Sequence, residues 1–555
     1  MRIIIVGGVA GGMSAAARLR RLDETIEIII LEKGNYVSFA NCGLPYYLGG
    51  EITDKAQLVI KTPAELQRRF NLDIRLNHEV VGLDSAAQEI TVKNAQEIKK
   101  MHYDRLLLAP GAHPIIPKFS GVDLTHSQFT LRGIPDLEKI IAKLQQPAIK
   151  RIAVIGGGAI GLEITEALLK QKYQVALLEA QSQLLTPFDP EMSVLLAQEL
   201  ENHGAKLYLN AKVAAIQANN DLILADQSKV AVDAIIFALG VRPDTACFTA
   251  AGLKSAQDGS LIVDENYQTS AQNVYAVGDA ILTINQLTGK SQPFRLASPA
   301  NRQGRQAADA MLGYKRKNRG NIGTSIVRVF GLGAAQTGLN EKQLRQFKLM
   351  FNCLHLRGNS HVAYFPGAQP LSLKLLFEQK TGKIWGAQAV GTGGENAARR
   401  IDILATAIKA GMTVNDLPEL ELSYSPPFGA AKDPVNLAGY AAQNILEGLS
   451  ENIQWHELSK YQKAGAYLID VREPEEIITN GAYPQAHNIP VDQLRKHLNE
   501  LPADKLLITA CQSGQRSYLA ERILRNHGFR VKNLDGGWLT YQAGMQAVFP
   551  IADKL

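Results

Sequence analysis

The chain has 555 residues, which at roughly 100–200 residues per domain sets an expectation of about three to five domains. Hydrophobic residues make up 46% and charged residues 20%, a balance that excludes a mainly disordered chain. The net charge of +6 is too dilute over this length to argue for a nucleic-acid partner. Four cysteines, Cys42, Cys247, Cys353 and Cys511, are too few for a disulfide scaffold and fit a reducing, cytoplasmic setting. No two of them form a CxxC pair and no zinc-type cluster appears. No metal site is therefore expected, and any thiol chemistry rests on single cysteines.

The first predicted element is a buried strand, RIIIV from Arg2, without the charged, apolar and cleavage regions of a signal peptide. The longest apolar runs, residues 3–13 and 152–162, reach eleven residues only by counting glycines. A spanning helix needs about 20, so no membrane association is expected. Residues 2–13, RIIIVGGVAGGM, predict a strand, a Gly-rich turn and an alanine-rich helix, followed by a strand ending at Glu32. Residues 151–162, RIAVIGGGAIGL, repeat this grammar, and the next strand ends at Glu179. A βαβ unit thus occurs twice. The second copy has the full GxGxxG at Gly156, Gly158 and Gly161, with Glu179 placed 179 − 161 = 18 residues later. The glycines allow a pyrophosphate to approach backbone N–H groups at a helix N-terminus. Glu179 suits a ribose 2′-OH and repels a 2′-phosphate, which favours NADH over NADPH. The first copy keeps Gly7 and Gly12 at the outer positions but has Val9 in the middle. Two nucleotide sites in one chain suggest FAD plus a nicotinamide, with hydride passing between them.

Further on, residues 273–280 read NVYAVGDA, a strand ending in Gly278-Asp279. Residues 106–114 (LLLAPGAHP) and 235–243 (IIFALGVRP) form a matching pair. Together these motifs resemble the pyridine nucleotide-disulfide oxidoreductase superfamily. The resemblance implies that Asp279 holds the ribityl or pyrophosphate region of FAD and that the two matching segments are crossover strands. Residues 321–446 then resemble that superfamily's dimerisation domain, which implies a homodimer.

Cys42 lies in SFANCGLPYYLGG, residues 38–50, where many relatives carry a CxxxxC disulfide. With one cysteine here, the oxidised state must be shared with another molecule. The NADH oxidases and peroxidases use a sulfenic acid and typically place a histidine in the first Gly-rich turn, where this chain has Ala10. GGVAGGMSAAARLRRLD and SFANCGLPYYL instead resemble CoA-disulfide reductases, which store a mixed disulfide with coenzyme A. In that resemblance Ser14, Arg18, Arg21, Ser38, Phe39 and Asn41 line the CoA channel, and Arg18 and Arg21 share a helix face that can meet a phosphate. A reactive thiolate needs an electropositive or flavin-side environment, so Cys42 is expected to be thiolate-favoured. Tyr364 in HVAYFPGA and Tyr424 in LSYSPPFGAAKDPVN match two family tyrosines placed to donate to the departing CoA sulfur.

The C-terminal hundred residues resemble rhodanese through LIDVREPEE, GAYPQAHNIP, LLITACQSGQRS and LDGGW. Cys511 follows an apolar strand and opens a helix, where successive N–H groups cradle an anion and stabilise a persulfide. The four-residue gap to Arg516 is shorter than the Cx5R loop of cysteine phosphatases and favours sulfane sulfur. Arg516 is expected to complete an electropositive rim, and Asp470 and Arg472 to tie the domain together. Cys247 and Cys353 match no motif and read as structural.

The expected fold class is α/β: two Rossmann-like dinucleotide domains, an α+β dimerisation domain and an α/β rhodanese domain. The expected boundaries are 1–115 with 245–320 for FAD, 116–244 for NADH, 321–446 for dimerisation, 447–454 as linker and 455–555 for rhodanese. The whole chain resembles the CoA-disulfide reductase–rhodanese fusions, which implies an NADH-dependent persulfide or polysulfide reductase using FAD and coenzyme A. A plain CoA-disulfide reductase, an NADH oxidase or peroxidase, and a sulfurtransferase with a redox-sensing flavin half stay open.

Overall fold

Ile3, Ile4 and Ile5 are fully buried, as a run of aliphatic residues without alternation requires of a strand covered on both faces. In the computed structural model, which describes residues 1–124 and 126–548, the strand Arg2–Val6 pairs in parallel with Glu27–Glu32 and with Arg105–Leu108. Val274–Ala276 and Asp73–Leu76 complete a five-stranded parallel sheet. The second βαβ copy builds a second parallel sheet, in the order Lys206–Tyr208, Gln174–Leu178, Arg151–Ile155, Ala234–Phe237, Gln128–Thr130. Helices Ala10–Leu22 and Ala159–Lys170 follow the first strand of each copy. The chain leaves the first sheet and returns to it through adjacent antiparallel strands, Ala112–Pro114 and Val241–Pro243. These are the crossover segments that the sequence motifs single out.

The chain divides into two compact units, residues 1–180 with 204–321, and residues 181–203 with 322–555. The second unit holds an antiparallel sheet in the order Ser325–Val329, Leu332–Gly338, Ile384–Thr392, Pro370–Glu378, Phe351–Asn359, with helix Glu395–Ala410 packed on it. It also holds a parallel sheet in the order Asn452–Ile453, Val531–Leu534, Leu507–Ala510, Tyr467–Asp470, His487–Asn488. One sequence boundary needs correction. Asn452 and Ile453 read as linker but form the edge strand of this last sheet, and Glu521 already holds Ser450 and Glu451. The segment 181–203, expected with the NADH domain, groups with the second unit. Of the expected rhodanese range, residues 549–555 lie outside the described residues.

The second unit is built around a buried ionic cluster. Lys374 is fully buried, and its Nζ meets Asp189 at 2.8 Å, Glu341 at 2.6 Å and Glu191. Burial opposes its charge, but the carboxylates prevail and hold the ammonium protonated. Glu191 also accepts from His355 Nε2 at 3.0 Å and from Trp455 Nε1 at 3.3 Å. His355 Nδ1 lies 2.7 Å from Asp535, next to the glycines of LDGGW. One cluster therefore joins the helix Pro190–Asn202, the antiparallel sheet and the C-terminal domain.

Removing one partner of a buried ionic group costs about 3–5 kcal/mol because the others stay uncompensated. Lys374→Met is therefore expected to lower the unfolding midpoint of this unit. All three tryptophans, Trp385, Trp455 and Trp538, lie in it, so their fluorescence reads the transition. Burial works against the His355 imidazolium, but Asp535 and Glu191 outweigh it and push its pKa from 6.5 up to about 9. A raised folded-state pKa gives stability that is complete below pH 6.5 and lost as pH rises through about 9. The same fluorescence midpoint should fall across that window, and should fall less in His355→Gln.

Candidate active sites

Each glycine turn is closed so tightly that only glycine fits. Gly7 has φ +96°, and a Cβ there would sit 2.1 Å from Ala109 O; a Cβ on Gly12 would sit 1.9 Å from Gly7 O. In the second turn Gly156 has φ +117°, and Gly161 meets Gly156 O at the same 1.9 Å. The acid at the end of each second strand fixes the turn. Glu32 accepts from Gly8 N at 2.9 Å and Gly34 N at 2.8 Å, and Glu179 accepts from Gly157 N at 2.7 Å. Neither following helix has a side-chain N-cap, so no capping side chain occupies its first N–H groups. Nothing stands within 4 Å of a Cβ built on Gly158. Beside Gly7 and Glu32 a cavity of about 290 Å³ opens, also lined by Lys33, Asp244 and Cys247. Two glycine turns, each closed by a carboxylate and leading into a helix, fit two dinucleotides.

The loop carrying Cys42 is pinned to the first turn. Ser38 N donates to Gly8 O at 2.8 Å, Ile60 N donates to Ser38 O, and Phe39 bridges to Val59. Ser38 takes φ +50°, a left-handed conformation that costs a non-glycine residue about 1–2 kcal/mol and is held here by those bonds. Asn41, Cys42 and Gly43 form one 3-10 turn leading into the helix Leu44–Leu48. Ser14 donates to Asn301 at 2.6 Å. Arg18 and Arg21 lie on the helix Ala10–Leu22, but they are not equivalent. Arg21 is exposed, whereas Arg18 Nε is 2.6 Å from the buried Asp309, which Arg316 also meets at 3.4 Å.

The expectation of a thiolate-favoured Cys42 is corrected by its surroundings. The residue is exposed, yet its sulfur is partly desolvated by the protein around it. That desolvation and the Glu163 carboxylate push the thiol above its ordinary range, while Arg132 pulls it down. Arg132 also pairs with Asp279 at 3.3 Å, and Glu163 accepts from Tyr46 at 3.1 Å. The protein alone therefore holds Cys42 as a thiol.

Tyr364 and Tyr424, sixty residues apart in sequence, meet hydroxyl to hydroxyl at 3.2 Å. Both are exposed. Buried Arg400 ties their loops together, donating to Ser360 O at 3.0 Å and to Asp433 at 2.8 Å. The Tyr364 hydrogen bond, and desolvation after it, push the Tyr424 hydroxyl up, so that hydroxyl stays protonated and able to donate.

Cys511 is fully buried at the end of Leu507–Ala510. Gly514 N donates to its Sγ at 3.1 Å, and Sγ lies 3.4 Å from Ser517 Oγ. Trp538 N and Tyr483 Oη hold the Cys511 carbonyl at 2.7 and 2.9 Å. Arg472 is fully buried, paired with Asp470 at 2.6 Å and bonded to Gln512. Arg516 departs from expectation. Instead of leaving a free positive rim, it forms a two-pronged pair with Glu476 at 2.5 and 2.6 Å. Cys353 is buried, and Cys247 donates to Val80 O at 3.6 Å with its thiol pushed by burial up to about 11.

The sequence motifs do not single out Arg132, Glu163, Asn301 or Glu476. Each reaches its site from a distant segment, and no local pattern marks the first three. Glu476 alone had a signal, standing in the quoted LIDVREPEE run.

Comparison with known proteins follows the same division. Residues 1–304 match the pyridine nucleotide-disulphide oxidoreductase family model, 324–433 its dimerisation domain and 454–543 the rhodanese-like domain. The chain belongs to the pyridine nucleotide-disulphide oxidoreductase family, as a flavin-dependent oxidoreductase carrying a dimerisation domain and a rhodanese domain. It is 32% identical over 449 residues to the coenzyme A disulfide reductase of Staphylococcus epidermidis, covering 80% of this chain and all of that one. The structure of reduced Bacillus anthracis CoADR-RHD superposes with a TM-score of 0.96 at 44% identity, over 98% of both chains. A NAD-dependent persulfide reductase from A. fulgidus gives 0.91 at 33% identity, over 98% of this chain and 100% of that one. Among the described residues no helix is long and apolar enough to cross a membrane.

A charge next to a thiol shifts its ionisation by about one pKa unit or less when partly screened. Glu163→Gln is therefore expected to speed iodoacetamide alkylation of Cys42 at neutral pH by about three- to tenfold, and Arg132→Gln to slow it. Peptide mass spectrometry measures both.

Proposed function

We propose that the chain is an NADH-dependent reductase of persulfides and polysulfides, with coenzyme A persulfide as a substrate, that releases sulfide. The observation that carries this reading is the presence of two unlike cysteine centres in one chain. One is an accessible thiol on the loop tied to the first nucleotide turn; the other is a buried sulfur in an N–H cradle. The names of the similar proteins, a coenzyme A disulfide reductase and a NAD-dependent persulfide reductase, support it.

Gly7, Gly12, Glu32 and Asp279 would hold FAD, which supplies two-electron exchange between a nicotinamide and a disulfide. Gly156, Gly158, Gly161 and Glu179 would hold NADH, with Glu179 disfavouring the 2′-phosphate of NADPH. Ser14, Arg21, Ser38, Phe39 and Asn41 are assigned to CoA, with Arg18 buttressed by Asp309. The Cys42 thiolate attacks the inner sulfur of a CoA persulfide. The S–S bond breaks, hydrosulfide leaves with the electron pair, and Cys42 and CoA remain joined as a mixed disulfide. Two electrons from NADH then break that disulfide to CoA thiolate and Cys42 thiolate. Tyr364 and Tyr424, supplied by the other subunit of a homodimer, are assigned to protonate the departing CoA sulfur. Cys511 accepts sulfane sulfur and passes it to CoA. Placing both centres on one chain raises the effective concentration of each for the other.

Anaerobic NADH oxidation with sulfide detection tests the reading. Cys42→Ser is expected to abolish sulfide release from CoA persulfide. Cys511→Ser should spare that reaction while lowering release from polysulfide by about tenfold or more, the order of gain that tethering provides. Full CoA-persulfide turnover in Cys42→Ser would refute it.

A further inference from the structure

The Cys511 loop attracts anions through its dipoles but carries no surplus cation from the arginines it touches. Gly514 N points at Sγ, and the loop opens the helix Gln515–Asn526, whose N-terminus carries partial positive charge. Of the two arginines, Arg472 is buried against Asp470. Arg516, which feels the Cys511 sulfur, gives both terminal nitrogens to Glu476. Glu476 is not there by accident of a floppy side chain. It sits in the first turn of the helix Pro474–Asn480 and closes a capping box with the backbone N of Glu473 at 3.1 Å. Glu473 adds a second negative charge bearing on Arg516.

We propose that Glu476 sets donor selectivity at Cys511, rejecting dianionic sulfur donors such as thiosulfate and admitting persulfides. The inference rests on the reading of Cys511 as the sulfur acceptor. The two donors load it by parallel displacements. With thiosulfate, the Cys511 thiolate attacks the outer sulfur, the S–S bond breaks, and sulfite leaves with the electron pair. With an alkyl persulfide, the thiolate attacks the terminal sulfur and the donor's thiolate leaves. In both cases Cys511 ends as a persulfide and no outside oxidant is needed. The difference is electrostatic. Thiosulfate brings two negative charges into the loop and keeps both on the leaving sulfite, beside a carboxylate that has cancelled the one rim cation. An alkyl persulfide brings at most one charge at its reacting end.

The test is the rate of Cys511 persulfidation in the full-length protein without NADH, quenched and read by mass spectrometry, with thiosulfate and with glutathione persulfide. Glu476→Gln is expected to raise the thiosulfate rate at least about tenfold and to change the persulfide rate less than about threefold. Added salt should shrink the thiosulfate gain. Arg516→Gln, which leaves Glu476 uncompensated, should move the thiosulfate-to-persulfide ratio the opposite way. An unchanged ratio in Glu476→Gln, or a parallel fall with both donors, would overturn the proposal while leaving Cys511 as acceptor. Persulfide loading that persists in Cys511→Ser would instead overturn the underlying reading.

Discussion

Two approaches of backbone to backbone govern the catalytic half of this protein. Gly7 passes Ala109, and Gly156 passes Ala238, so closely that a single β-carbon would collide with a carbonyl oxygen. Each contact joins a glycine turn to the strand through which the chain crosses between the two sheets. Each turn is then locked by a carboxylate from the end of the next strand, Glu32 or Glu179. The outcome is a pair of helix N-termini without side-chain caps, each opening from a fixed glycine turn. Everything that gives Cys42 its place follows from the first turn, since Gly8 O is what Ser38 N holds.

The two sulfur centres solve different problems with different means. Cys42 sits where Glu163 and desolvation oppose ionisation, so its reactivity depends on what binds beside it. The Tyr364 and Tyr424 hydroxyls meet on loops tied together by the buried Arg400–Asp433 pair. Cys511 instead has its anion-stabilising groups built into the backbone of its own loop, and side-chain charge around it is balanced by Asp470 and Glu476. In the second unit the Lys374 cluster links Asp535, which precedes the glycines lining the Cys511 loop, to the antiparallel sheet. The segment beside the Cys511 loop and the antiparallel sheet thus share one ionic core.

Much of this was legible in the sequence because the chemistry is local. A glycine turn, its preceding strand and its following helix lie within a dozen residues, and the acid that closes it follows at a fixed distance. Cys42 and Cys511 stand out in the sequence for the same reason. What the sequence hides is charge matched across distance. Arg516 reads as a free cation until Glu476, forty residues earlier, is seen to hold it. Nothing near Arg18 announces Asp309, which reaches it from 291 residues away. Lys374 stands in an ordinary strand, SLKLLFEQ, and nothing nearby announces the acids that allow its burial. Asn452 and Ile453 look like linker because their strand exists only through pairing with Asn533 and Leu534. The homodimer expectation has its support in the matched dimerisation domain.

The central claim is a division of labour, with Cys42 forming a mixed disulfide with CoA and Cys511 carrying sulfane sulfur. It is tested most directly by trapping both states at once. The oxidised protein is treated anaerobically with CoA persulfide and polysulfide in the absence of NADH, quenched with acid, digested and read by mass spectrometry. The account predicts CoA on the Cys42 peptide and an added sulfur on the Cys511 peptide, with NADH clearing the first and the CoA so released then accepting the sulfur of the second. CoA found on Cys511, or a Cys42 peptide oxidised to sulfenic acid without CoA, would contradict it.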